Sequence, residues 1–290
     1  MSILVDQELF QPTILTDTTF FQQQARLPTP QEVRNAAASP SRNPCVATRV
    51  LFPQINMFVK YGPEVDVAEA QCLRIVRYYL HSKVPTPEVF GWDKDGEDVF
   101  LYMQLMPGVP LSERWDSLSG DEKGVICDEI GKIMSNLRLL AQKPSETLIG
   151  SVTMQPIRDN SFQSLQIGQT GGPFRTVKEF HDWFSTINMP LGTASPYRSW
   201  LPDNHSVAFA HGDLHPDNIM ISLDVHPPNI VSLVDFGQSG WYPDYWDYCK
   251  ARMIGVPRSA WLTESIPRIF GRDLEGWWPY WSFFLERLGR

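Results

Sequence analysis

The stretch His211-Gly212-Asp213-Leu214-His215-Pro216-Asp217-Asn218, together with Asp235-Phe236-Gly237, decides the fold predicted for this sequence. Each motif follows a short apolar run, residues 207–210 and 230–234, of the kind that forms a buried strand. The two motifs therefore bring a carboxylate, an amide and a second carboxylate to the ends of two strands. Such a set can activate a hydroxyl and hold magnesium against the phosphates of a nucleotide. The sequence thus predicts a phosphotransferase.

Three polar side chains in these motifs are candidates for the chemistry. Asp213 is the candidate catalytic base, which would take the proton of the attacking hydroxyl. Asn218 and Asp235 are candidate magnesium ligands, because this hard cation prefers oxygen. A turn without catalytic role is the alternative, since Asp, Asn and Pro all form turns. The joint occurrence of the motifs and their order along the chain favour the functional interpretation.

Two further residues are predicted to support the catalytic loop. His211 precedes Asp213 by two positions, where an imidazole can bond the loop backbone and hold the direction of the carboxylate. Asp247 follows Trp246 at the start of a predicted helix. It would either brace the catalytic loop or act as an acidic residue in the first turn, where the helix dipole favours negative charge.

Lys60 and Glu69 are predicted to form an ion pair in the nucleotide site. Lys60 ends an alternating, strand-like run at residues 55–60, and would reach the phosphates of ATP. Glu69 lies on the apolar stripe of a helix predicted over residues 66–82, where an unpaired carboxylate is costly to bury. Two alternatives stay open: an exposed lysine at a strand end, and a capping box formed by Asp66 and Glu69.

The remaining pattern predicts an α+β fold with two lobes. A buried strand over residues 99–105 runs into Met106-Pro107-Gly108, which cannot continue a ladder. The backbone of Gln104 and Met106 at this hinge is a candidate for bonding the adenine of ATP. The predicted division is an N-terminal extension (residues 1–45), a small strand-rich N-lobe (46–106) and a larger, mainly helical C-lobe (107–290).

Helices are predicted within the extension and through the C-lobe. The segments are residues 31–38, 121–142 and 176–187, the last opening with a capping-box pattern, and much of the final 45 residues. Residues 143–175 are rich in Gly, Ser, Gln and Pro and are predicted to form a functional loop. This loop and the tryptophan-rich C-terminal helices are expected to shape the acceptor pocket.

Composition limits the class of protein. The chain has 290 residues and a formal net charge of −8, which argues against a general nucleic-acid binder. Its four cysteines form no Cys-x-x-Cys pair, so neither zinc nor a redox dithiol is indicated. No signal peptide or membrane-spanning stretch is evident, so we expect a cytoplasmic protein. No obligate protein partner can be read from the sequence, only a small-molecule acceptor.

Several stretches between residues 55 and 250 together point to a known family. They are Phe58-Val59-Lys60-Tyr61-Gly62 with Glu69; Met106-Pro107-Gly108 with Leu111 and Trp115; Ile149-Gly150-Ser151; Gly172-Pro173-Phe174 with Phe180 and Trp183; the two motifs above; and Gly240-Trp241-Tyr242-Pro243 with Tyr245, Trp246 and Asp247. The chain resembles the aminoglycoside phosphotransferase and choline kinase-like group, and more narrowly the fungal phosphotransferase enzyme family. This resemblance implies a protein-kinase-like bilobal fold and a role in specialised metabolism.

The resemblance also implies ATP-dependent phosphorylation of a small molecule, with Mg2+ as cofactor. The acceptor group is predicted to be a hydroxyl, and an amine is the less favoured alternative. It implies Asp213 as base, Asn218 and Asp235 as metal ligands, and Lys60 on the phosphates. Two features depart from the pattern. Residues 43–58 contain no glycine, so the Gly-rich phosphate loop is missing, and Asp-Phe-Gly stands where members often have Asp-Trp-Glu. A kinase-shaped protein without phosphotransfer activity, binding a metabolite or doing other chemistry in the cleft, is therefore the alternative.

Overall fold

The computed structural model describes residues 3–5, 14–24, 26–38, 46–162, 171–187, 189–190, 192–254 and 259–286. Its strands are β1 Ile3–Leu4, β2 Thr48–Phe52, β3 Met57–Gly62, β4 Val89–Asp95, β5 Asp98–Gln104, β6 Val109–Pro110, β7 Leu140–Ala141, β8 Val207–Ala210, β9 Ile219–Ile221, β10 Ile230–Leu233 and β11 Gly240–Pro243. Its α-helices are α1 Pro30–Ala36, α2 Val67–Leu80, α3 Leu111–Arg114, α4 Gly120–Leu137, α5 Val177–Thr186, α6 Trp246–Ile254, α7 Ile266–Phe270 and α8 Trp278–Glu286. The arrangement is the predicted α+β fold, with a strand-rich N-lobe and a mainly helical C-lobe.

An antiparallel sheet in the order β2-β3-β5-β4 forms the N-lobe. Alternation along β3 buries Met57, Val59 and Tyr61 on one face and turns Lys60 to the other, as the period of two requires. The strands predicted over residues 55–60 and 99–105 are both present. The first begins two residues later, because Ile55 belongs to the short 3-10 turn Pro53–Ile55 that links β2 to β3.

Helix α2 covers the face of the sheet that carries Lys60. Asp66 caps its N-terminus by accepting a hydrogen bond from the backbone N–H of Ala68 at 2.6 Å. Glu69, Cys72, Leu73, Val76 and Leu80 form the buried side of the helix, which is the stripe predicted from the sequence. The cost of burying Glu69 must therefore be met by a partner in the sheet.

The N-terminal segment packs into the opposite face of the same sheet. Helix α1 starts at the capping box of Thr29 and Glu32, and its Val33 is fully buried against the cluster that contains Phe20, Val59 and Phe100. Strand β1 pairs in parallel with β7 of the C-lobe. The described part of this segment thus contacts both lobes, so it contributes to the cores of the fold.

The C-lobe is built on α4 and two small antiparallel sheets, β10-β9-β6 and β11-β8. A capping box of Ser119 and Glu122 begins α4. The helix ends at Leu137, earlier than the predicted residue 142, because the chain leaves it to form β7 against β1. Thr176 caps α5 as predicted, but the Glu179 carboxylate accepts from the N–H of Arg175, so the full capping box is not formed.

Aromatic side chains fill the C-lobe core. Trp246, Trp261 and Trp281 are buried, whereas Trp277 and Trp278 are half-buried at its border. Of the four cysteines, Cys72, Cys127 and Cys249 are buried free thiols, and Cys45 lies outside the described residues. Among the described helices, none combines the length and apolar character needed to cross a membrane.

We predict that Val33→Ala lowers the free energy of unfolding by about 1–3 kcal/mol, because it removes two methyl groups from a closed site. The matched change Val125→Ala, at a position 48% exposed on α4, should alter stability by no more than about 0.5 kcal/mol. Urea denaturation measures both values. Equal effects of the two changes would contradict the packing of α1 on the sheet.

Candidate active site

The catalytic loop joins β8 to β9 and is anchored from α6. The Asp247 carboxylate accepts hydrogen bonds from the backbone N–H groups of His211, at 3.2 Å, and Gly212, at 2.8 Å. Gly212 has φ +77°, and a Cβ there would lie 2.5 Å from the carbonyl oxygen of Gln238, so only glycine fits. Asp247 also lies in the first turn of α6, so the contact with the loop and the first-turn position that were predicted as alternatives are both present.

His211 holds the backbone of the loop from within. It is fully buried, its Nε2 lies 3.1 Å from the carbonyl oxygen of Val234, and its Nδ1 accepts from the N–H of Asp213 at 3.2 Å. A carbonyl can only accept, so the proton of the ring is on Nε2. Burial lowers the pKa of His211 to about 4, which keeps the ring neutral near pH 7. The predicted supporting contact with the loop is present.

Asp213 and Asn218 lie side by side at the two ends of the loop. Asn218 Nδ2 donates to the backbone carbonyl of Asp213 at 2.8 Å and to its Oδ2 at 3.2 Å. Because Nδ2 faces Asp213, the Oδ1 of Asn218 is turned elsewhere. Burial raises the pKa of Asp213, against the opposing charges of His215 and Lys250, and a raised pKa makes the carboxylate a stronger base.

Lys60 joins the lobes through two carboxylates. Its Nζ lies 2.9 Å from Glu69 Oε2 and 2.8 Å from Asp235 Oδ1. The predicted pair with Glu69 is therefore formed, and the capping role is taken by Asp66 alone. Burial alone would lower the pKa of Lys60, but the two carboxylates outweigh this effect and raise the pKa overall, so Lys60 is protonated. Burial pushes the pKa of Asp235 up, but Lys60 lowers it overall, so Asp235 is ionised.

Asp235 reaches Lys60 from an unusual backbone conformation. It has φ +63°, in the left-handed region, which Asp tolerates better than most residues. The turn follows β10, and Gly237 comes close enough that a Cβ there would lie 3.4 Å from both Asp235 Oδ1 and Glu69 Oε2. The Asp-Phe-Gly turn thus places the carboxylate where the sheet, α2 and the catalytic loop meet.

A cavity of about 550 Å3 lies between the lobes. Lys60, Asp213 and Asp235 line it, together with Arg49 of β2. Arg49 is the register partner of Lys60, and its Nη2 lies 4.0 Å from Asp235 Oδ2. Arg49 was not predicted from the sequence, since no motif marks it. The signal available was its alternation within β2, directly across from the lysine.

At the hinge, two of the backbone N–H groups already have partners within the protein. The N–H of Gln104 donates to the carbonyl of Glu88 at 2.8 Å, and the N–H of Leu105 donates to Asn56 at 3.1 Å. The N–H of Gln104 is therefore not available to adenine, because it completes the edge of β5 instead. The N–H of Met106 has no intramolecular partner among the described residues, so its predicted role stays open.

A buried ion pair supports the wall of the cavity that residues 157–162 form. Lys250 Nζ lies 2.7 Å from Asp159 Oδ1, and the two side chains are 1% and 0% exposed. Trp246 Nε1 also donates to this carboxylate, at 3.0 Å. Arg158 reaches across to Asp66 of the N-lobe at 2.8 Å. This wall belongs to the loop predicted over residues 143–175, but its ion pairs could not be read from the sequence, because their members are far apart along the chain.

Comparisons with known proteins identify the family of the chain and agree with its fold. The model of a family described as "Phosphotransferase enzyme family" matches residues 57–277. A mutant aminoglycoside 2'-phosphotransferase IIIa in complex with GDP is similar in structure (TM-score 0.53, 14% identity, 86% of this chain and 81% of that chain covered). So is aminoglycoside 2"-phosphotransferase IIa with streptomycin and ATP (TM-score 0.51, 13% identity, 91% of each chain covered). No curated protein matches the sequence significantly.

The neutral state of His211 predicts a pH dependence of stability. An unfolded histidine takes up its proton near pH 6.5 and folded His211 only near 4, so its contribution is present above about pH 6.5 and is lost between about 6.5 and 4. Between pH 7 and 5 the wild type should lose about 2 kcal/mol more stability than His211→Asn.

Urea denaturation at the two pH values measures this difference, in which the other titrating groups cancel. His226→Asn is the matched control, because that histidine is 68% exposed and solvated in both states. Parallel stability curves for the wild type and His211→Asn would contradict a neutral, buried imidazole.

Proposed function

We propose that this chain, which belongs to the phosphotransferase enzyme family, transfers the γ-phosphoryl group of ATP to a hydroxyl of a small molecule. The carrying observation is that Asp213, Asn218, Asp235 and Lys60 converge in one interlobe region although they lie as much as 175 residues apart. A carboxylate base, oxygen ligands for a metal and a cation for phosphates are the parts that phosphoryl transfer requires.

The proposed step is an in-line displacement at the γ-phosphorus. The acceptor oxygen forms a bond to phosphorus while the bond from phosphorus to the bridging oxygen of ADP breaks. Asp213 Oδ1 takes the proton of the acceptor hydroxyl, and ADP leaves with the electron pair. The carbonyl and Oδ2 of Asp213 are held by Asn218, and its N–H by His211, so the base keeps its direction during the reaction.

Asn218 and Asp235 fit a magnesium ion that is completed by phosphate oxygens. Within the described residues, no group of three or more His, Cys, Asp and Glu is arranged to hold a metal. Mg2+ typically takes one or two carboxylates together with substrate phosphates, so a site with one carboxylate and one amide is sufficient. When held by Asn218 and Asp235, the ion would neutralise the negative charge of the phosphates.

Arg49 supplies what the missing Gly-rich loop would otherwise provide. Among the described residues β2 is an edge strand of its sheet. Arg49 of this strand projects into the cavity beside Lys60, and its side chain is 68% exposed. In a Gly-rich loop, backbone N–H groups donate the hydrogen bonds to phosphate. A guanidinium can donate two parallel hydrogen bonds to the same kind of oxygen. For adenine, the free N–H of Met106 is the proposed donor.

Thermal unfolding tests the nucleotide site. Mg-ATP at about 100 times its dissociation constant should stabilise the wild type by roughly 2.7 kcal/mol, a rise of a few degrees. Asp235→Ala should lose this rise, because Lys60 and the metal both lose their partner. Asp213→Asn, in the same cavity, should keep this rise in melting temperature. Its rate of ADP release with an alcohol as acceptor should fall by about 100-fold or more.

The same experiment separates the proposal from the kinase-shaped protein without phosphotransfer. No rise with Mg-ATP in the wild type would contradict the proposed function and favour a metabolite as the occupant of the cleft. Full ADP release by Asp213→Asn would contradict the assigned base, even where nucleotide binding is intact.

For Arg49 we predict a specific effect on ATP affinity. Arg49→Gln should raise the KM for ATP about tenfold, since one charge-assisted contact at an exposed position is lost. Arg272→Gln, 77% exposed in the C-lobe and remote from the cavity, is the matched control and should leave KM unchanged. Steady-state ADP release measures both. An unchanged KM in Arg49→Gln would show that Arg49 does not contact the phosphates.

A further inference from the structure

The cavity has a further hydrogen-bonding group, Gln238. This side chain lines the cavity and is 8% exposed. Its Cβ approaches the catalytic loop closely, because a Cβ on Gly212 would lie 3.3 Å from it. Gln238 is therefore adjacent to the loop that carries Asp213.

The contacts of Gln238 determine which end of its amide faces the cavity. Its Oε1 accepts from Lys250 Nζ at 3.2 Å and from the backbone N–H of Asn160 at 2.9 Å. An ammonium group and a backbone N–H can only donate, so the atom between them must be the oxygen. The Nε2 then points away from both donors, and the described residues offer it no partner.

The ion pairs around Gln238 are internally balanced. Asp159 is neutralised by Lys250, accepts further bonds from Trp246 Nε1 and the N–H of Ser161, and is 0% exposed, so it presents no unpaired charge to a ligand. Arg158 is paired with Asp66. Glu64 lines the cavity too, but it is exposed and screened by water. The surface next to Gln238 is completed by the apolar side chains of Ile157 and Phe162.

We propose that Gln238 and the wall at residues 157–162 form a subsite for an uncharged alcohol. Gln238 Nε2 donates to an oxygen of the acceptor next to the hydroxyl that reacts, and Phe162 packs on its carbon frame. A cationic amine in that place would meet a donor instead of an acceptor. The proposal rests on the phosphotransferase function for the identity of the ligand, while the hydrogen-bond polarity rests on Gln238 alone.

Gln238→Glu tests this polarity without disturbing the support of the side chain. A carboxylate still accepts from Lys250 and from the N–H of Asn160, but presents an oxygen to the cavity in place of the donor. Gln31→Glu, the same change at an exposed position of α1, is the matched control. The probes are pairs that differ in one group: trans-cyclohexane-1,2-diol with trans-2-aminocyclohexanol, and glucose with glucosamine.

Binding is measured by calorimetry without nucleotide, and ADP release is then measured with Mg-ATP. In the wild type and in Gln31→Glu, at least one of the two uncharged probes should bind about tenfold or more tightly than its amino counterpart. In Gln238→Glu this order should reverse. Preference of the wild type for the amines, no binding of either uncharged probe, or an unchanged order in Gln238→Glu would overturn the subsite.

The two readouts distinguish this inference from the proposed function. A preference for the uncharged probes that reverses in Gln238→Glu, without ADP release from Mg-ATP in the presence of any probe, supports the subsite and contradicts phosphotransfer. ADP release that is faster with the amines than with the diols supports phosphotransfer and contradicts the subsite.

Discussion

The site depends on one buried ammonium group shared by two carboxylates. Lys60 of β3 holds Glu69 of α2 at 2.9 Å and Asp235 of the C-lobe at 2.8 Å, so a sheet, a helix and a turn from both lobes meet at one atom. Without Lys60, two carboxylates would face each other in a poorly solvated place, which costs several kcal/mol. The position of the phosphate end of the cleft therefore follows from the packing of α2 on the sheet.

The proposed base, Asp213, is held in a different way, because neutral and ionised groups bond the backbone of its loop. Asp247 anchors the N–H groups of His211 and Gly212, and the uncharged ring of His211 bonds the N–H of Asp213. Because these contacts use backbone atoms, Asp213 keeps its Oδ1 for the substrate. The loop is therefore fixed by hydrogen bonds next to the proposed base, whereas Arg49, the proposed phosphate contact, is an exposed side chain.

Local patterns in the sequence predicted the parts of the structure that local physics determines. The stripe of α2, the alternation in β3, the cap at Thr176 and the strand-loop-strand around Asp213 all depend on neighbours within a few residues. The length of α4 was misjudged, because the pairing of β7 with β1 decides where the helix ends. Lys250 with Asp159, and Arg49 beside Asp235, carry no motif, so only the folded chain reveals them.

The central claim is that the phosphates of a nucleotide and a divalent cation lie between Lys60, Asn218 and Asp235. A crystal structure with Mn2+ and a non-hydrolysable ATP analogue tests it most directly, since manganese is located by its anomalous scattering. The account predicts a manganese peak ligated by Asn218 Oδ1 and an Asp235 oxygen, with the γ-phosphate facing Asp213. A nucleotide bound elsewhere, or manganese away from these two residues, would contradict it.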